Sequence, residues 1–356
     1  MLSSIWGFVK RHRRKFLFTG AVVGGVVLLG KYARSKIQQL QEKEAADCLA
    51  HARRQHHFDS NQRTCNMTVL SMMPNLRETL MKALDSEHLT EQLKARPANK
   101  LEIWEDLKIT SFSRTLVSMY SVCMVVVYLR VQLNIIGGYM YLDNLLNRNG
   151  TTPELAVASP EIQQKYLANV QYLLGQGLTQ LITDVTDIAK HTLENISLKE
   201  KLTFVQLKEV LQKVRHQMEY RRQNGYYDAS ATSLCKYILP EDIGHDEACS
   251  LSVEERTMNK LMRETTDMVE SGDFHSVLTN CLDSSFIMIY QKLHDFYRET
   301  DDESIPLAKL IPMVNSLIHT TCGDSPNFFI QEILLMEQVK NFAANVYEAF
   351  SQVSKD

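Results

Sequence analysis

The chain has 356 residues, of which 44% are hydrophobic and 23% are charged, and its formal net charge is −3. These proportions are typical of a globular protein, and the near-neutral balance excludes nucleic-acid binding through a general positive charge. The seven cysteines are odd in number and contain no CxxC spacing, which is not typical of a disulfide framework and favours a reducing compartment.

The N-terminus combines a basic segment with an apolar run. Five basic residues lie close together: Lys10, Arg11, Arg13, Arg14 and Lys15. Residues 16–30 carry no charged side chain, and the run approaches the roughly 20 residues of a membrane span if its basic flanks extend toward the headgroups. We predict a basic targeting segment over residues 1–15 and one transmembrane anchor over residues 16–33. A cleaved signal peptide is disfavoured, because Lys31 and Tyr32 stand where small residues should precede the cleavage site.

Residues 34–356 show the apolar spacing of helices. Residues 37–57 are rich in Gln, Glu, Lys and Arg with sparse apolar positions, which predicts an exposed helix. Further along, apolar residues recur every three or four positions, and strand-like alternation is scarce. We therefore predict an all-α fold, with a single elongated helical bundle over residues 34–356 behind one N-terminal transmembrane helix.

A second apolar stretch lies between Thr115 and Leu142 and is interrupted only by Arg130. It is long enough to be a second membrane span or the central helix of a soluble bundle. Arg130 favours the central helix, because a charge in the middle of a span is costly. Gln132 and Asn134 also suit a packed interior better than lipid.

The segment from Ser86 to Ser111 contains two short helical patterns separated by Pro97 and Asn99. At about 100° per residue, one stripe of the second helix carries Lys100, Trp104, Leu107 and Lys108. An indole flanked by lysines suits an amphipathic partner helix with acidic edges, and Trp is a frequent interface anchor. A tryptophan on a helix is also a common core residue, and the pattern alone leaves both interpretations open.

Catalytic motifs are absent from the sequence: it contains no GxSxG, HExxH, GxGxxG or kinase signature. Its cysteines and histidines lack the spacing of a metal site. We therefore predict a protein that is not an enzyme and that uses no metal or cofactor.

Four stretches closely resemble the peroxisomal biogenesis factor 3 family: residues 53–71, 99–108 (NKLEIWEDLK), 129–144 and 336–350. The resemblance covers essentially the whole chain. It implies a single-pass protein of the peroxisomal membrane, with an all-helical bundle in the cytosol. It further implies that a groove at the membrane-distal end of the bundle docks an N-terminal helix of peroxisomal biogenesis factor 19, the chaperone that carries new peroxisomal membrane proteins.

The resemblance also assigns residues. It implies a partner groove around Trp104 that also contains Leu93, Lys94, Lys100, Leu107 and Lys309 and, at the same end, Asn134 and Leu142. We add Lys108 to this groove from the helical stripe. Gly138 reads as a structural glycine, because a larger side chain there would separate packed helices. Membrane lipids and other peroxisomal membrane biogenesis factors are further expected partners. A lipid-handling or lipid-transfer helical protein is the alternative function.

Overall fold

The computed structural model describes residues 13–148, 159–219, 221–223, 226–228, 234–240, 252–324 and 326–352. The side chains of residues 13–30, 33, 221–223 and 226–228 lie outside this description. The predicted targeting residues Lys10, Arg11, Arg13, Arg14 and Lys15 and most side chains of the predicted anchor therefore lie outside it too.

Helices account for nearly all of the regular structure in the described chain. They are α1 (Arg13–Ala83), α2 (Ser86–Lys94), α3 (Lys100–Arg148), α4 (Pro160–Leu167), α5 (Val170–Tyr172), α6 (Leu178–Leu193), α7 (Phe204–Glu219), α8 (Val253–Val269), α9 (Gly272–Thr300), α10 (Leu307–Ser316), α11 (Ile318–Thr321), α12 (Phe328–Leu335) and α13 (Glu337–Phe350). A π-helical turn (Leu173–Gly177) joins α5 to α6, and a 3₁₀ turn spans Cys235–Tyr237. The strands are β1 (Lys201–Thr203), β2 (Arg221–Gln223), β3 (Tyr226–Asp228) and β4 (Ser304–Pro306). The all-α prediction is confirmed.

Helix starts follow local sequence signals. Ser252 caps α8 in a reciprocal pair with Glu255, and Ser271 caps α9 by accepting a hydrogen bond from the Phe274 amide. Helix α4 begins with Pro160 behind the cap residue Ser159. Such residues satisfy the amide groups that the first helical turn leaves without partners.

The chain divides into two compact units, Met1–Asp59 and Ser60–Asp356. In the first unit, every side chain from Ile37 through Arg53 is exposed, which confirms most of the exposed helix predicted over residues 37–57, whereas Arg54 and His57 are half-buried. This boundary lies beyond the predicted end of the anchor at residue 33. The exposed stretch adds little to any core, because its apolar positions are too sparse to form a continuous stripe.

The second unit is built around α3, which contacts α2, α6, α10 and α13 among others. Every residue from Ser111 to Gly138 is buried. Among the residues with described side chains, the stretch Lys100–Leu146 alone is long and apolar enough to cross a membrane, yet its apolar part is wholly buried in the protein. The second apolar stretch of the sequence is therefore the central helix of the bundle.

Arg130, near the middle of α3, is only 2% exposed. Its guanidinium donates hydrogen bonds to Gln62 Oε1 (2.5 Å), to Asn66 Oδ1 (2.6 Å) and to the carbonyl of Leu334 (3.4 Å). Burial lowers the pKa of Arg130. These neutral acceptors replace water and connect α1, α3 and α12 at one point.

A short antiparallel ribbon pairs β1 with β4, with Leu202 opposite Ile305. Beyond the ribbon, the amide of Leu307 donates to the carbonyl of Glu200 (2.9 Å) and the amide of Ala308 donates to the carbonyl of Leu198 (3.0 Å). These bonds fix the start of α10 beside residues 198–200.

Candidate partner-docking surface

A small apolar cluster lies apart from the main core and includes the tryptophan singled out in the sequence. We call it the Trp104 cluster. Its buried members are Leu107, Leu198 and Ile311, and its half-buried members are Leu89, Leu93, Trp104 and Ala308. Helices α2, α3 and α10 and the loop before β1 therefore meet in one apolar patch whose aromatic member remains partly open.

Helix α2 is held on α3 by an ion pair. The guanidinium of Arg114, which is 1% exposed, donates to both carboxylate oxygens of Glu87 at 2.7 and 2.9 Å. These hydrogen bonds hold the pKa of Glu87 below its ordinary value. At the helix start, Asp85 accepts a hydrogen bond from the His88 amide (2.8 Å). The pair sets the position from which Leu89 and Leu93 reach the cluster.

The turn between α2 and α3 depends on Arg96, whose φ is 54°. Its amide donates to the carbonyl of Leu93 (3.1 Å), and the amide of Ala95 donates to the carbonyl of Gln92 (3.2 Å). A left-handed residue commonly ends a helix in this way, but it is usually glycine or asparagine. Pro97 follows, where it cannot continue the helix. The chain thus returns at once into α3, with Trp104 beside Leu93.

Lys108 corrects the sequence-based prediction that all four stripe residues face a partner. It is fully buried, and its ammonium group donates to the carbonyls of Leu193 and Ile196, each at 3.0 Å, and pairs with Glu105 at 2.5 Å. A cation suits the C-terminal end of α6, where helix carbonyls lack amide partners. Lys108 therefore joins α3 to α6 and does not face the surface.

Three predicted lysines do lie on the surface. Lys94 is in the last turn of α2, Lys100 is the first residue of α3, and Lys309 follows the cluster residue Ala308; all three are exposed. Within the described residues, none of them forms an ion pair. Each lies next to, or one helical turn from, a cluster residue in the chain, so we expect the three to border the Trp104 cluster and call them the rim lysines.

Asn134 and Leu142 are not part of this surface. They lie on α3, roughly 45 and 57 Å from Trp104 along the axis at about 1.5 Å per residue. Asn134 is buried and accepts hydrogen bonds from the side-chain amides of Gln62 (2.7 Å) and Asn61 (2.9 Å). The prediction that they line the same end of the bundle is wrong, because one continuous helix separates them from it.

Gly138 lies toward the same far end of α3. A Cβ atom placed on it would lie 2.7 Å from the carbonyl carbon of Phe350. Such a contact is with backbone, so α13 would have to move to accept a side chain.

Four cluster residues were not predicted from the sequence: Leu89, Leu198, Ala308 and Ile311. Leu89 precedes Leu93 by one helical turn, which is a usable signal. Leu198 and Ile311 join the cluster only through the hydrogen bonds near β1 and β4, which no local pattern indicates.

The cluster presents an indole ring and aliphatic side chains, and its rim presents ammonium groups. Among the described residues, no group of three or more His, Cys, Asp or Glu side chains is placed to hold a metal ion. In the main core, away from this surface, burial raises the pKa of the Cys123 and Cys322 thiols to about 12, so these cysteines are protonated at neutral pH.

Comparison with known proteins gives a consistent result over nearly the full length. The family model described as Peroxin-3 matches residues 7–101 and 95–349. The chain is 51% identical to Peroxisomal biogenesis factor 3 of Cricetulus longicaudatus and 50% identical to that of Homo sapiens, in each case over 99% of this chain and 98% of the relative. It is 28% identical to Peroxisome biogenesis protein 3-2 of Arabidopsis thaliana, over 97% of this chain and 99% of the relative.

Proposed function

The chain belongs to the peroxin-3 family, and from this premise we propose that it is a membrane-anchored docking receptor for an import chaperone. Membership gives it a role in peroxisome biogenesis. The proposal adds that residues 16–33 form its single span in the peroxisomal membrane and that the bundle lies in the cytosol. Its partner is the cargo-loaded chaperone peroxisomal biogenesis factor 19, and it catalyses no reaction.

The half-buried indole of Trp104 is the observation that supports this proposal most directly. Together with Leu93 and Leu89 it offers an apolar strip between two helices. Amphipathic helices bind such strips through apolar side chains spaced three or four residues apart. Central aromatic residues with partly enclosed surroundings supply most of the affinity in interfaces of this kind.

The rim lysines would orient the partner helix on the strip. Lys94, Lys100 and Lys309 flank the strip with exposed ammonium groups. A partner helix with acidic edges is attracted over a distance of about one Debye length and is turned so that its apolar side faces Trp104. Capture followed by release would concentrate cargo at one membrane.

The test is titration calorimetry of the full-length chain in detergent with the N-terminal peptide of the chaperone. Trp104→Ala is expected to cost at least about 2 kcal/mol of binding free energy, or about 30-fold in Kd. Leu335→Ala is the matched control, because Leu335 is an exposed apolar residue on α12 outside the cluster. Binding of the Trp104→Ala chain within about threefold of wild type, with its helical circular dichroism intact, would remove the cluster from the interface.

A further inference from the structure

A second surface of the bundle carries apolar side chains in and beside two adjoining hollows. The first has a volume of about 450 Å³ and lies between α9, α11 and α12; the second, of about 310 Å³, lies between α7 and α9. Gln291 and Asp295 line both, so one row of α9 side chains separates the hollows. We call this surface the α9 ridge. It shares no residue with the Trp104 cluster.

Two exposed large apolar side chains lie here. Phe328, in the first hollow, is 71% exposed, and Ile287, in the second, is 55% exposed. Beneath them, Met288 and Tyr290 are half-buried, as is Phe204. Single exposed apolar residues are ordinary, but here they border concave surface with apolar floors, which is typical of interaction sites.

Two carboxylates and two ammonium groups line the α9 ridge, and they differ in whether they have ion-pair partners. Both acidic residues that line it have an arginine partner within the chain: Asp324 lies 3.2 Å from the Arg77 guanidinium, and Asp295 lies 3.5 Å from that of Arg298. The basic residues lack such partners among the described carboxylates. Lys292 is exposed at the first hollow, and the Lys208 ammonium group lies 5.2 Å from the centre of the Tyr290 ring at the second.

The electrostatic consequence is a preference for an acidic partner. Arginine partners weaken the repulsion that Asp295 and Asp324 would exert on an incoming carboxylate. Lys208 and Lys292 remain able to bind one, and they lie on opposite sides of the ridge. Like-charge contacts with these lysines would disfavour a basic segment.

We propose that the α9 ridge is a second docking surface, and that it binds an acidic amphipathic helix of a protein partner. Apolar side chains one to two turns apart on that helix would enter the two hollows on either side of Gln291 and Asp295. Its carboxylates would meet Lys208 and Lys292. Because the two surfaces share no residue, the chain can hold this partner and the one at the Trp104 cluster independently.

The test uses a display library of random peptides of about 16 residues, long enough for roughly four helical turns. Selection is carried out on the full-length Trp104→Ala chain in detergent, so that the Trp104 cluster contributes little. Enriched peptides are expected to be net acidic with apolar residues at helical spacing. Their affinity is expected to fall at least about tenfold on adding Ile287→Asp, and again on adding Lys208→Glu with Lys292→Glu.

Met67→Asp is the matched control, because Met67 is an apolar residue that is 71% exposed on α1. It is expected to leave the affinity unchanged, and circular dichroism shows whether each variant is folded. The proposal is overturned if no peptides are enriched, if the enriched peptides lack acidic character, or if their affinity is the same for the ridge variants as for the parent chain. A mass measurement in which Ile287→Asp converts a dimer to a monomer would assign the ridge to a second copy of the chain and also overturn it.

Discussion

At the scale of single residues, the glycines of the bundle differ sharply in what surrounds them. A Cβ atom on Gly138 would lie 2.7 Å from the Phe350 carbonyl carbon, whereas one on Gly175 would have nothing within 4 Å. Gly138 lies within α3, and Gly175 lies in the π-helical turn before α6. The same substitution therefore tests packing at one site and backbone entropy at the other.

We predict that Gly138→Ala lowers the free energy of unfolding by about 1–3 kcal/mol, because α13 must shift to accept the methyl group. Gly175→Ala is the matched control and is expected to be neutral or to stabilise by up to about 1 kcal/mol, since it restricts the unfolded chain without a clash. Guanidinium unfolding followed by circular dichroism measures both. Equal effects at the two positions would contradict the packing argument.

Arg130 and Lys108 show which residue roles the sequence reveals. From the position of Arg130 we predicted that the second apolar stretch is a core helix, because a charge there is costly in lipid, and the buried helix confirms this. The role of Lys108 could not be predicted in the same way. Its acceptors, the carbonyls of Leu193 and Ile196, come from a distant part of the chain, and backbone acceptors leave no trace in residue type.

At the scale of elements, the attachment of α2 to α3 depends on a titratable pair. The Arg114 guanidinium holds the pKa of Glu87 below its ordinary value. The folded state therefore binds this proton less readily than the unfolded state. The stabilisation is fully present above the ordinary glutamate pKa of about 4.3 and is lost as the pH falls through the lower folded-state value.

We predict that wild type melts at a higher temperature than Glu87→Gln at neutral pH and that this difference shrinks as the pH falls below about 4. Glu91→Gln is the matched control, because Glu91 is exposed on the same helix. It is expected to follow wild type throughout. A wild-type advantage over Glu87→Gln that persists unchanged into acid would show that the charge of Glu87 is not its source.

The Trp104 cluster was predicted only in part: its predicted members lie on α2 and α3, and most of the others lie before β1 and on α10. Trp104 and Leu107 lie about one turn apart on α3, so helical periodicity predicted both, whereas Leu93 on α2 was expected only from the family resemblance. Leu198 and Ile311 arrive through the contact between the loop before β1 and the start of α10. That contact rests on backbone hydrogen bonds between distant residues. Asn134 and Leu142 were placed wrongly because the sequence does not show that α3 continues unbroken from Lys100 to Arg148.

At the scale of the whole molecule, the net charge of −3 does not describe the local charge near the Trp104 cluster, where we expect three exposed lysines to lie. Long-range attraction depends on where charges lie more than on their sum. Lys94, Lys100 and Lys309 are therefore expected to govern how fast an acidic partner associates, while the apolar cluster governs how slowly it leaves.

We predict that replacing Lys94, Lys100 and Lys309 together by Gln lowers the association rate of the chaperone peptide by about tenfold at low salt and weakens its salt dependence. The matched control replaces the exposed residues Lys43, Lys190 and Lys340, which changes the net charge equally. Stopped-flow measurements over a range of salt concentrations provide the comparison. Equal slowing in both triple variants would assign the effect to net charge and not to the rim.

The buried apolar helix α3 has a consequence for the newborn chain. Its residues leave the ribosome before those of α6, α10 and α13, which cover it in the finished protein. At about 5–20 residues per second, synthesis of the later helices takes roughly 10–40 s, during which only α1 and α2 are available to cover α3. Throughout that interval an insertion machinery would meet a segment apolar enough to enter a bilayer, opposed mainly by Arg130. We expect this arginine, which ties three helices together once folding is complete, also to oppose entry of the unfinished chain into a bilayer.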